Sequence, residues 1–175
     1  MRRAREGDRW AREALFRRYV RPVTQLVTRL MARSQDADDV VQDTFAEALR
    51  DLEKLRNPAA FRPWLFRIAV NRVRKRGRRR KLARAFGLDR GIDDATLVQL
   101  AARDAGPELL TELELVDQVL RQLPSEHRIA WMLRHVEGET LESVAELTDC
   151  SLATAKRRIA AARTTLDAHI DRGAS

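Results

Sequence analysis

The chain has 175 residues, 44% hydrophobic and 34% charged, which suits one ordinary soluble domain or two small ones. Its 34 Lys and Arg outweigh 26 Asp and Glu, and the formal net charge of +8 favours an anionic partner, nucleic acid above all. A lone cysteine, Cys150, excludes an intrachain disulfide and a cysteine zinc site, and His127, His135 and His169 make no metal-binding spacing, so they read as helix-surface residues.

No apolar run approaches the roughly 20 residues needed to cross a bilayer. The basic start "MRRAREGDRW" lacks the apolar core of a signal peptide, so a cytoplasmic protein is expected. Glycine and proline are scarce, helix formers dominate and no segment alternates β-branched residues, which predicts an all-α fold without internal repeats.

In chain order, a first helical stretch is predicted from about Asp8 to Ala32, with Trp10, Leu15, Tyr19, Val23, Leu26 and Leu30 toward the core. Pro22 is expected to kink it or divide it. "SQDADD" supplies caps and first-turn acids for a second helix reaching about Leu55. There Val41, Phe45, Ala48, Leu52 and Leu55 form an apolar stripe, and Asp39, Gln42, Asp43, Ala46 and Arg50 lie opposite. First-turn acids can simply complement the helix dipole, but in so basic a chain they also suit docking to a basic protein surface.

"RNPAA" breaks that helix, because a proline disfavours helical geometry at Asn57. A third helix begins near Phe61, with Phe61, Trp64, Leu65 and Ile68 core by spacing. Trp64 can also share in stacking on single-stranded nucleic acid. It runs into "NRVRKRGRRRKLAR", where Arg72, Arg74, Lys75, Arg76, Arg78, Arg79, Arg80, Lys81 and Arg84 stand with no acid among them. Such density repels itself on a helix without counter-charge, which argues against a plain solvated face.

From Gly87 to Gly106 periodicity fades, the mark of a linker, with a short helix possible in "DATLVQLAAR". Pro107 suits a helix start before "ELLTELELVDQVLRQL". Pro124 and Ser125 open a further helix that Gly138 closes.

"TLESVAELTD" and "CSLATAKRRIAAARTTL" then form two helices joined by "TDCS", a helix-turn-helix candidate. Val144, Leu147, Ala155 and Ile159 would share its core, and Ser151 would cap the second helix. Opposite that core lie Ala153, Arg157, Ala160, Ala161 and Thr164, small enough to seat the helix in a major groove. Arg157 can reach a base edge, with Lys156 and Arg158 flanking it toward phosphates. A helical hairpin with a solvated basic face is the plainer alternative. The short turn, the cap and the alanine-lined basic face together favour the DNA reader.

"ALFRRYVRPVTQLV", "DADDVVQDTFAEAL", "AFRPWLFRIAVNRVRK", "LRQLPSEHRIAWMLRHVEGETLESVAEL" and "CSLATAKRRIAAAR" follow one another in fixed order over nearly the whole chain outside the linker. Together they resemble a bacterial RNA polymerase sigma factor of the extracytoplasmic-function (ECF) group. The resemblance implies a promoter-recognition subunit of two small helical domains on a flexible linker, not an enzyme and with no cofactor or metal. It places region two in residues 1–84, the linker in 85–106 and region four in 107–175.

It further implies that Asp39, Gln42, Asp43, Phe45 and Leu49 meet the clamp helices of the polymerase's largest subunit. The flap of the second-largest subunit is the other implied contact. The loop Arg56, Asn57, Pro58, Ala59 and Ala60 matches the one that captures a flipped base of the minus-ten non-template strand. Trp64, Phe66, Arg67, Asn71, Arg74 and Lys75 would support that loop and the melted strand. Ser151, Ala153, Thr154, Lys156, Arg157, Arg158, Ala160 and Ala161 would read the minus-thirty-five element as duplex DNA. An anti-sigma factor is an implied partner.

Two departures stand out. Asp149 occupies a helix-turn-helix corner where family members often carry glycine, and aspartate tolerates left-handed geometry better than most residues. "RNPAA" stands where many relatives have a glycine-acid pair, so the preferred base does not carry over. A stand-alone helix-turn-helix regulator, binding operators as a dimer, is the alternative. It leaves the acidic helix and the aromatic-basic segment without a purpose.

Overall fold

The computed structural model describes residues 1–31, 36–86 and 116–173. All regular structure among them is helical, as composition and periodicity predicted. The linker, the short helix within it and the helix start at Pro107 lie outside the described residues, as does Ser34 of the "SQDADD" cap.

A one-turn helix α1 (Arg2–Arg5) leads into α2 (Arg9–Leu30), which opens where Asp8 accepts a hydrogen bond from the Ala11 amide at 3.1 Å. That backbone donor, chiefly, holds the Asp8 carboxyl below its ordinary pKa, with Arg3 adding to it. Pro22 lies inside α2 without dividing it. Its ring costs the Arg18 carbonyl an intrahelical donor, yet Val23, Leu26, Val27 and Leu30 just beyond are fully buried, and that packing holds the helix together.

Trp10 does not join them and is 76% exposed. At 3.6 residues per turn it lies about half a turn around the helix from Tyr19, on the far side of the buried stripe.

Helix α3 (Ala37–Arg50) packs on α2 through Val40, Val41, Thr44, Phe45 and Ala48. It ends at Arg50 rather than at Leu55, and a 3₁₀ turn at Leu52–Lys54 follows. Leu52 and Leu55 remain buried all the same, anchoring the connection. A second 3₁₀ turn, Pro58–Ala60, delivers the chain into α4 (Phe61–Ala85). At 1.5 Å per residue α4 is about 37 Å long. Its first half buries Phe61, Leu65, Phe66, Ile68, Ala69, Val70 and Val73, and its second half carries the basic block.

Beyond the undescribed segment, residues 116–122 are helical (α5), followed by α6 (Ser125–His135), α7 (Leu141–Leu147) and α8 (Leu152–Gly173). Gly138 takes a left-handed φ of 72° after α6, as its place past a helix end leads one to expect. Thr140 caps α7 by accepting from the Ser143 amide at 3.1 Å. Ile129, Met132, Leu133, Val144, Leu147, Ala155 and Leu166 form the core of this lobe. The two lobes do not stand apart. Helix α6 packs on α2 and α4, and α7 on α4, so the buried residues of both make one continuous cluster.

Candidate nucleic-acid interface

The face of α3 away from the core carries Asp39, Gln42 and Asp43, all exposed. It is not bare charge. Arg72 of α4 donates from Nε to Glu47 at 2.6 Å and lies 3.4 Å from Asp43, while Arg76 bonds Asp36 at 2.6 Å and lies 3.8 Å from Asp39. The Asp36 hydrogen bond, first among the causes, raises the Arg76 pKa above its ordinary value. Asp39 and Asp43 still expose about two thirds of their side chains, at 68% and 64%, so an outside cation can reach them. Phe45 is different: it is buried and meets Phe16 edge-on at 4.8 Å, placing it beneath the acidic face rather than on it. Leu49 is half-buried at the rim.

The loop after α3 projects Arg56, Asn57, Pro58 and Ala59 into solvent between the buried Leu55 and Phe61, with Ala60 partly covered. Asn57 fixes its shape by accepting from the Ala59 amide at 3.0 Å, a local side-chain turn made with extended backbone at Asn57. Beneath it, Tyr19, Phe61 and Trp64 stack in sequence at 5.0 and 5.9 Å, and Trp64 stays half-exposed.

Phe66 is 6% exposed and lies under the Arg62 guanidinium at 4.4 Å, so what it presents outward is Arg62. Sequence reasoning had passed over Arg62. The signal was its i, i+4 spacing to Phe66, which puts a cation over a ring on one helix face. Arg67 and Lys75 are exposed, whereas Asn71 accepts from Arg74 at 3.1 Å. Arg74 is almost wholly buried, and that burial, partly offset by Glu126, lowers its pKa from the ordinary value. Glu47, Arg50, Asn71, Arg72, Arg74, Lys75, Arg78 and Asp149 line a polar cleft of about 370 Å³ beside this stretch.

In the second lobe α7 and α8 meet at a tight corner. Thr148 bonds the Val144 carbonyl at 2.7 Å, the Cys150 amide bonds the Ala145 carbonyl at 3.0 Å, and Asp149 sits between them with a φ of 50°. A left-handed turn is thus made by aspartate where glycine is the easy choice. Cys150 packs half-buried against Thr148, with Sγ at 3.2 Å from its hydroxyl. Ser151 caps α8, accepting from the Thr154 amide at 3.2 Å. Val144, Leu147 and Ala155 are buried and Ile159 is half-buried, which leaves Ala153, Lys156, Arg157, Ala160 and Thr164 exposed on one side and Thr154 and Ala161 at its edges. Arg158 points elsewhere, into an ion pair with Glu126 of α6.

A helix pair on a left-handed corner, with small residues around an exposed arginine, has the shape that suits a duplex groove. A projecting loop above half-open aromatics and cations suits an unpaired strand. A family model described as Sigma-70 region 2 matches residues 15–83, and one described as Sigma-70, region 4 matches residues 113–166. The ECF RNA polymerase sigma-E factor of Haemophilus influenzae is 35% identical over 167 residues, which span 92% of this chain and 88% of that one. The chain belongs to the ECF sigma factors.

Solved structures agree on the fold. The sigma factor RpoE of Bartonella quintana, in complex with the anti-sigma factor NepR, matches with a TM-score of 0.68 at 21% identity, covering 91% of this chain and 96% of that one. CnrH in complex with the cytosolic domain of CnrY matches at 0.62 with 27% identity, covering 97% and 94%.

As a sigma factor, the protein binds core RNA polymerase and directs initiation at promoters, which accounts for both lobes as the stand-alone regulator does not. The basic block is not a plain solvated face, and Arg74, expected beside the melted strand, is turned inward. Arg72 and Arg76 face acids at and just before α3, and Arg78 lies 3.9 Å from Glu126, so with Arg74 at least four of the block's cations are partnered inside the protein. The missing counter-charge was present all along, on neighbouring helices. Among the described residues no cluster of His, Cys, Asp and Glu could hold a metal ion, and no helix is long and apolar enough to cross a membrane.

Proposed function

We propose that this sigma factor divides its work among three surfaces. Asp39, Gln42 and Asp43, with Leu49 at the rim and Phe45 holding the face from below, dock on the clamp helices of the largest polymerase subunit. The loop from Arg56 to Ala60, with Trp64, Arg62, Arg67 and Lys75 beside it, takes the non-template strand of the minus-ten element. Phe66, Asn71 and Arg74 hold that surface in place from within. Ser151, Ala153, Thr154, Lys156, Arg157, Ala160 and Ala161 seat α8 in the major groove of the minus-thirty-five element, and the same lobe meets the flap of the second-largest subunit.

Region two then occupies residues 1–84, the linker 85–106 and region four 107–175. The reading is of an initiation factor without catalytic residues, working in the cytoplasm under an anti-sigma factor, as the complexes of RpoE with NepR and of CnrH with the cytosolic domain of CnrY suggest by likeness.

The observation that carries the reading is the loop. Asn57 clamps it, nothing among the described residues covers Arg56 to Ala59, and aromatic and cationic side chains stand next to it. Two such DNA contacts, each modest, become specific when the polymerase aligns them. Run-off transcription with core polymerase on a promoter library, followed by sequencing of the start sites, tests it. A shared pair of motifs upstream of the starts is expected. Unchanged start-site choice on adding the protein would refute the assignment.

A further inference from the structure

The cleft beside α4 holds more positive charge than the fold uses. Five cations and two carboxylates line its volume of about 370 Å³, and no aromatic or aliphatic side chain does. Arg72 and Glu47 answer each other, the Arg72 Nε donating at 2.6 Å. That leaves Arg50, Arg74, Lys75 and Arg78 with one further acid in the lining, Asp149.

These four are poorly neutralised. Arg50 lies 3.7 Å from Asp51 and Arg78 lies 3.9 Å from Glu126, both beyond hydrogen-bond distance. Lys75 is exposed and makes no ion pair among the described residues. Arg74 is 8% exposed, its Nε has no hydrogen-bond partner, and Glu126 comes no closer than 3.7 Å.

Sequence spacing explains the convergence. Arg74 and Arg78 stand four apart on α4, with Lys75 three before Arg78, so all three share one side of the helix. Arg50, at the end of α3, joins them from across the cleft. Like charges gathered this way raise one another's energy until an anion comes between them.

The lining also says what kind of anion fits. The volume suits a small ligand, yet the walls lack the apolar surface that holds a ring or a base. Guanidinium forks match phosphate oxygens two at a time. Asp149 lines the cleft from the corner between α7 and α8, so it is walled on more than one side and suits a compact anion better than a continuous strand.

We propose that this cleft binds a short polyphosphate, free or carried as the triphosphate of a nucleotide, through Arg50, Lys75 and Arg78. Recognition is of the phosphates, since a base finds nothing to stack on. Lys75 also belongs to the surface proposed for the minus-ten strand, so an occupied cleft competes with that strand. This consequence rests on the promoter reading, whereas the binding itself does not.

Calorimetry on the full chain tests it, without polymerase or divalent cations. Salt of about 0.15 M screens loose attraction between exposed charges. Tripolyphosphate should bind at one site, GTP within about 3-fold of it and orthophosphate at least about 10-fold more weakly. Arg50→Ala, Lys75→Ala and Arg78→Ala should each weaken tripolyphosphate about 3- to 10-fold, whereas Arg157→Ala, the same charge change on α8, should stay within about 2-fold. Asp149→Asn removes a repelling carboxylate and should tighten binding about 3-fold, a gain that misfolding cannot produce.

No saturable binding of tripolyphosphate, or an equal loss in Arg157→Ala, overturns the site. GTP bound more than about 10-fold tighter than tripolyphosphate overturns recognition by phosphates alone. Failure of the promoter assignment looks different: it appears as absent promoter-specific transcription and leaves the calorimetry unchanged.

Discussion

Helices α4 and α8 both carry clustered arginines, α4 at about twice the density of α8, and the protein treats them differently. On α4, Arg72 and Arg76 are tied to Asp43, Glu47 and Asp39 of α3 and to Asp36 just before it, and Arg74 is buried against Glu126. On α8, Lys156 and Arg157 stand exposed with no ion pair among the described residues, and only Arg158 is turned inward. A run of nine cations on one helix cannot all face solvent without repulsion, so part of the run becomes structure and fixes α3 to α4. A sparser helix among alanines needs no such neutralisation, and its cations stay available. Arginine count therefore does not measure DNA contact: what a guanidinium already holds decides its role.

The largest expected effect lies on the acid side of this contrast. Asp43→Arg places a second cation beside Arg72 on the proposed docking face. We expect loss of core-polymerase binding by at least 10-fold in a gel-filtration or fluorescence assay, with the helical circular dichroism signal retained. Binding at the wild-type level would remove Asp43 from the interface.

Next comes the exposed arginine of α8. Arg157→Ala should cost about 1–3 kcal/mol in promoter affinity, concentrated at one position of the minus-thirty-five element. Urea unfolding should move by no more than about 0.5 kcal/mol, since the side chain is exposed. A uniform loss over all sequences would instead mark a phosphate contact.

Arg72→Met should behave in the opposite way. It removes the bridge to Glu47 and Asp43, both partly exposed, so the expected cost is about 1 kcal/mol of urea stability. Sequence preference should be untouched. If Arg72→Met shifts promoter choice while stability holds, the division drawn between the two helices fails.

A smaller change is expected at the corner. Asp149→Gly relieves a left-handed aspartate and should stabilise the second lobe by a few tenths of a kcal/mol, while Asp149→Val should destabilise it by about 1 kcal/mol or more. Thermal unfolding of the two variants separates these signs.

The smallest effect concerns pH. His135, stacked on Trp131 at 5.0 Å, has its pKa lowered first by burial and then by Arg134 and Arg163. A lowered histidine pKa means that stability is full above the unfolded value of about 6.5 and declines as pH falls through the folded one. His135→Gln should flatten that decline in a pH series of melting curves.

Much of this protein was legible before any coordinates. The stripe Val41, Phe45, Ala48 on α3, the Ser151 cap, the Thr148–Ser151 turn and the left-handed tolerance of Asp149 follow from rules acting within a few residues. Such rules fix local geometry because their partners are neighbours in sequence.

They failed where the partner is distant. Trp10 is predicted in the core by its character, although its angle on α2 carries it outside, and of the two outcomes expected at Pro22, a kink or a division, the division does not occur. Phe66, expected to support the loop and the melted strand, is buried under Arg62, a cover that the spacing rules did not supply.

The local sequence therefore determined the helices, most of their caps and the loop and corner proposed to face DNA, because backbone propensity and apolar period are properties of short stretches. Only the tertiary structure decided which arginines are free, which acids neutralise the rest and how closely the lobes approach. Ion pairs join side chains 25 to 108 positions apart, such as Arg72 to Glu47 and Arg29 to Glu137, and no period along the chain records a contact made by folding back.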